Sequence, residues 1–262
     1  MGGVRELGHI VDTRDLRFTQ NSMLSSLTPD QIALLAVGAT GIGFSKSGFP
    51  GISMLHVVLF AFVFGALEST GVLLPMLVVG DLCAIGFFGR KADWSHVRRL
   101  LPPTLVGILI GWAMMDRLNP EYFKTLVGGI ILALTAVQAA RLLRPKMFEK
   151  FPHQVWFSVF LGLLAGLTTM LANAAGPVVA LYLIAVSLPK WELIGTSAWL
   201  FLVLNVLKLP LSYNLGLISP DTLLVGAALA PMIPIGMLSG KWLVTRVSQT
   251  WFNAILLGFT AI

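Results

Sequence analysis

Apolar and polar positions fall in long blocks along this chain rather than alternating residue by residue. After a polar opening, apolar runs at Ile32 to Phe44 and Ile52 to Ala66 flank a short break, SKSGFPG, from Ser45 to Gly51. A bilayer crossing takes about 20 apolar residues, so neither run suffices alone. Together they read as one long segment broken in its middle, with helical pieces over 30–45 and 50–66. Later runs predict helices over 70–89, 99–115 and 121–143. A basic stretch, RLLRPKMFEKFPHQ, follows. The second half predicts helices over 154–173, 177–188, 192–212, 221–243 and 249–262. Continuous runs of this kind exclude a transmembrane barrel, whose strands show ten-residue alternation. The fold class expected is an all-α polytopic membrane protein of about ten helical segments.

The broken element occurs twice. LTTMLANAAGPVVALYLIAV, Leu167 to Val186, is again an apolar run, a short patch (Asn173, Ala174, Ala175), a Gly176-Pro177 pair and a second apolar run. Gly38, Thr40 and Gly48 each lie 128 residues before Gly166, Thr168 and Gly176. Late in each half, residues 102–129 align without a gap on 231–258, an offset of 129. Pro102, Gly107, Gly111, Arg117, Phe123 and Gly129 match Pro231, Gly236, Gly240, Arg246, Phe252 and Gly258. The GxxxG spacing in both copies permits close helix approach. Paired interrupted segments in two halves of a membrane protein point to a transporter binding site.

Composition agrees with this pattern. The 262 residues are 56% hydrophobic and 11% charged, with mean hydropathy +0.85, whereas a soluble domain is about 25% charged. The net charge of +6 is not a nucleic-acid signature, because the basic residues cluster in short turns. RKADWSHVRR, the linker after 141, Lys190 and the Lys241/Arg246 pair carry most of them. If each broken pair enters and leaves on one face, all four basic turns fall on one side, the cytoplasm. Each half then holds three crossings plus one returning pair. The odd count makes the halves inverted-topology repeats, each starting with a broken helix pair. The boundaries expected are a polar tail over 1–29, a first repeat over 30–143, a basic cytoplasmic linker over 144–153 and a second repeat over 154–262. The opening residues have no apolar core, so no cleavable signal peptide is expected there.

The chemistry implied is that of an anion site. Lys46 lies inside a broken apolar segment, and a buried cation there faces protein or water and usually has a function; the plainer reading is snorkelling to an interface. Helix N-termini at Pro50 and Pro177 offer free N–H groups and partial positive charge. The substrate-binding candidates are therefore Ser45, Lys46, Ser47, Gly48, Asn173, Ala175 and Gly176. Ser45, Ser47 and Asn173 equally suit half-helix caps. Asp81 falls opposite Asn205 under the repeat; these two are the candidates for coupling or site electrostatics. Asp81 could pair with Lys46, carry a coupling proton or bond a neighbouring helix. Lys208 is read as an interfacial anchor, His56 as a bonded core histidine, and His96 and His153 as solvated. No cofactor or metal is expected, since Cys83 is the single cysteine and there is no GxSxG, HExxH or phosphate loop. No enzyme constellation appears.

These stretches resemble a known family. GATGIGFSKSGFPGISML, AGLTTMLANAAGPVVALYL, the aspartate in VVGDLCAIGFFGRKADW and the late glycine repeat are similar to the sulfite exporter TauE/SafE family, also called the toluene sulfonate uptake permease family. The resemblance covers about residues 30 to 262. It implies secondary transport of a small sulfur-containing anion, sulfite or an organosulfonate such as sulfoacetate, with export the expected direction. It places the substrate at the two glycine-proline breaks, 45–51 and 173–177. The partners expected are the small anion and the lipid bilayer, with no nucleic acid, and a homodimer is open. The expected setting is a cell membrane, the bacterial inner membrane. A carboxylate transporter and a passive anion channel are the alternatives.

Overall fold

The computed structural model of the chain describes residues 23–117, 119–143, 155–248 and 251–252. Among these residues it is all-helical, with ten α-helices. The 144–153 linker and most of the expected 249–262 helix lie outside the described residues.

Local chemistry explains where the helices start and stop. α1, Pro29–Lys46, opens with a capping box in which Thr28 and Gln31 exchange bonds, which satisfies two N–H groups left over at a helix start. Proline at the first position costs no hydrogen bond there. α1 ends at Lys46, and a 3₁₀ turn, Pro50–Ile52, leads into α2, Ser53–Phe64. The sequence pattern expected this half-helix to start at Pro50; its α-helical part starts three residues later. α2 runs back along α1, with Gly41 facing Ile52 and His56, and Gly38 facing Phe60. The first broken segment is therefore a returning pair.

α3, Glu68–Phe88, and α4, Trp94–Met115, follow. α4 begins earlier than the apolar run suggests because Asp93 caps it, accepting 2.8 Å from the Ser95 N–H. That bonding from Ser95 holds the Asp93 carboxyl below the usual carboxylate range. α5, Pro120–Leu143, closes the first half. The second half has α6, Val155–Ala172, α7, Gly176–Ala185, and α8, Lys190–Asn214. The expected continuous helix over 221–243 is instead α9, Pro220–Leu229, and α10, Met232–Arg246, bent by 44°. Pro231 and Pro234 explain the bend, since each removes a backbone donor and crowds the preceding turn. Lys190 Nζ donates to the carbonyls of Val244 and Val247 at 3.2 and 2.6 Å, capping the end of α10 where a cation is favoured. Among the described residues, four spans are long and apolar enough to cross a membrane, and the bent pair makes a fifth. α6 is one of the four by itself, although the sequence pattern made it only half of a returning pair.

The two halves grip each other through two crossings that repeat the same contacts. In one, α4 crosses α6: Gly107 lies against the backbone of Leu163 and Leu167, and Gly166 against that of Thr104 and Ile108. In the other, α10 crosses α1: Gly236 lies against Thr40 and Phe44, and Gly43 against Ile233 and Met237. A methyl group at any of these glycines would overlap backbone atoms, so helix axes this close require glycine. Thr104, Gly107 and Ile108 map onto Ile233, Gly236 and Met237 at the expected offset of 129. Thr40, Gly43 and Phe44 map onto Leu163, Gly166 and Leu167, an offset of 123. The expected offset of 128 for the first helix is thus corrected: the counterpart of Gly166 is Gly43, not Gly38. The discrepancy has a physical source. α6 continues three residues beyond the counterpart of Lys46, and its connector to the next helix is three residues shorter. The offset returns to 123 at Ser53 and Gly176.

Candidate functional site

The two breaks meet. Gly176, at the start of α7, packs against the Pro50 carbonyl and the Ser53 hydroxyl, where α2 begins. Gly48 adopts φ +127°, and a side chain there would strike Ile194 and Phe252. Only glycine takes this conformation without strain. Asn173 has φ +53°, a left-handed geometry that asparagine tolerates better than most residues. Neither α2 nor α7 has a side chain capping its N-terminus. Ser45 donates instead to Ile42 O at 2.8 Å, and Ser47 to Phe44 O at 2.7 Å. The capping role open to Ser45, Ser47 and Asn173 is therefore not the one they take here.

A cavity lies at this junction. Its wall includes Ser45, Lys46, Gly48, Asn173, Gly176 and Asn205. Ser53 and His56 from α2, Thr169 from α6, and Ser197 and Phe201 from α8 complete the polar and aromatic part. Ser47 and Ala175 are buried outside this wall, and Ser47 packs against Gly240. The cavity is small: water centres can occupy about 30 Å³, which is room for about two waters.

Charge is concentrated behind the wall. Lys46 Nζ stands 2.6 Å from Asp81 Oδ1 and 4.3 Å from the centre of the Phe201 ring. Asn205 Nδ2 donates to Asp81 Oδ2 at 2.7 Å. Both carboxylate oxygens are thus engaged, and Asp81 is fully buried. Of the readings open to Asp81, the pairing with Lys46 is present. Lys208 is where the sequence reading fails. Expected at the interface, it is 1% exposed. Its ammonium donates to Asn173 Oδ1 at 2.5 Å, Thr169 Oγ1 at 3.1 Å and Asn205 Oδ1 at 3.5 Å. All three partners line the cavity and all are neutral. Asn173 also donates to Thr70 O at 3.1 Å, so it straps α3 to the Lys208 cluster. Counted as ionised, the cluster has two ammonium groups and one carboxylate among the described residues.

Two histidines also differ from expectation. His56 is buried but has no partner at either ring nitrogen among the described residues, so it is not the bonded core residue expected. His96 is half-buried rather than fully solvated, and its Nδ1 lies 2.9 Å from the Tyr182 hydroxyl. His153 lies outside the described residues. The missed polar residues did carry a signal. Lys208 sits at i+3 from the predicted Asn205 on an apolar helix, so the two share one face. Ser53 and His56 share a face for the same reason.

The geometry suits an oxyanion: two glycine-lined helix starts, two lysines against one carboxyl group and neutral donors around one small cavity. A protein-family model described as Sulfite exporter TauE/SafE matches residues 34–262. No curated protein and no solved structure matches the chain.

Proposed function

The chain belongs to the sulfite exporter TauE/SafE family, and from that premise we propose that it is a secondary transporter exporting sulfite or a small organosulfonate. The family is one of membrane transporters of sulfite and related anions, and the chain is a multi-pass membrane protein. The finer reading places the substrate in the cavity where α2 and α7 begin, in a chain lodged in the bacterial inner membrane. The observation that carries it is the pair of lysines, half-buried Lys46 and buried Lys208, set against the single carboxylate of Asp81 in this cluster. Burying a cation without a carboxylate is costly, so a cluster with one in excess attracts an anion. The helix starts add partial positive charge from two directions. No covalent step is part of this reading.

Purified protein in proteoliposomes tests it. Sulfite counterflow should be saturable and should fall when Lys46 or Lys208 is neutralised. A flux that rises linearly with sulfite and ignores both substitutions contradicts the reading.

A further inference from the structure

The first turn of α2 presents polar atoms that nothing in the described protein satisfies. Ser53 Oγ, His56 Nδ1 and His56 Nε2 are buried and have no hydrogen-bond partner. Ser53 and His56 are three residues apart, so they share one helix face, and both line the cavity. Ser53 sits against Gly176 at the meeting point of the two breaks. Leaving the hydrogen bonds of buried groups unmade is destabilising. Three such atoms on one wall of one cavity mark a surface kept for a ligand.

Their chemistry differs from that of Lys46, which lines the same cavity. Lys46 supplies donors only. An imidazolium at His56 would add a third buried cation where one carboxylate is available, so the imidazole is taken as neutral. A neutral imidazole has one N–H and one lone pair, and a serine hydroxyl both gives and accepts. An oxyanion without hydrogen can meet the donors but leaves the lone pair empty. An oxyanion that carries its own O–H meets both.

We infer that Ser53 and His56 are substrate-contacting residues that make this site prefer an oxyanion bearing an O–H group, such as the O–H form of hydrogensulfite, over a sulfonate that has none. This rests on the transport reading above and narrows its substrate class. Lys46 and Lys208 hold the charge, while Ser53 and His56 read the proton on the anion. No bond is made or broken, and the proton stays on the ligand oxygen.

The test is calorimetric titration of the full chain at a mildly acidic pH with three probes: hydrogensulfite, hydrogenselenite, whose proton is on oxygen, and methanesulfonate, a monoanion with no O–H. The parent should bind the first two roughly tenfold or more tightly than methanesulfonate, the size of one hydrogen bond to a charged group. His56→Leu should remove most of that ratio by weakening only the O–H anions. Ser53→Ala should lower it less. An unchanged ratio in monodisperse His56→Leu overturns the inference and leaves waters as the partners of these atoms. If His56→Leu does not fold, Ser53→Ala decides: an unchanged ratio there also overturns it. A parent that binds none of the three probes overturns the transport reading instead.

Discussion

Lys46 Nζ lies 2.6 Å from Asp81 Oδ1, so the cation facing the cavity is already paired before any substrate arrives. An incoming anion competes with Asp81 for that ammonium. A carboxylate that loses its partner in a buried site is poised to take up a proton, which links anion binding to proton movement. Asp81→Asn keeps the shape and the bond from Asn205 but removes the charge. The expected outcome is that sulfite exchange between equal pools survives while proton-driven net flux collapses. Undiminished proton-driven flux in this variant rejects Asp81 as the coupling group.

Lys208 bonds three cavity-lining residues and, among the described residues, no carboxylate. Lys208→Met is expected to weaken sulfite binding by roughly 10- to 150-fold, the range for losing one charge-assisted bond. An interfacial anchor would instead change affinity little. Titration of sulfite into the monodisperse variant separates the two, and an affinity equal to the parent's removes Lys208 from the site.

Much of this was legible in the residues. The break at Ser45 to Gly51, its second copy at Asn173 to Pro177, and Asp81 opposite Asn205 all stand out because polar residues are costly in apolar runs. The late repeat was legible because Gly107 and Gly236 are fixed by backbone contact. Three features were hidden. The first helices align through Gly43 and Gly166, but small residues are so frequent in α1 that Gly38 and Thr40 match Gly166 and Thr168 equally well by eye. The extra turn in α6 makes the glycines of the two breaks match at the wrong offset. Lys208 is near the end of a long helix, where a lysine commonly snorkels; only its tertiary partners reveal that it turns inward.

The paired crossings predict paired effects. Gly107→Ala and Gly236→Ala each force a methyl into backbone atoms of the facing helix, an overpacking of about 1–3 kcal/mol. Both should lower the thermal midpoint of purified protein by similar amounts. Gly86→Ala, where a methyl meets nothing within 4 Å, should change it little. A Gly236→Ala protein as stable as the parent would break the symmetry of the two crossings.

Topology gives an independent check. In a Cys83→Ala background, a cysteine at Ser95 should react with impermeant reagent only from the cytoplasmic side, and one at Asn214 only from the opposite side. The basis is the basic turn around Arg90 to Arg99 and the lack of basic residues over 213–220. Labelling of both from one side contradicts the inverted arrangement.

The central claim is a location: a small oxyanion bound where α2 and α7 begin. Selenite replaces sulfite with a heavier, anomalously scattering atom. Crystals grown with selenite and measured at the selenium edge should show one peak inside the cavity, within contact of Lys46 Nζ and bordered by Ser53 and Gly176. A selenium peak elsewhere, or none at concentrations that saturate transport, contradicts the account.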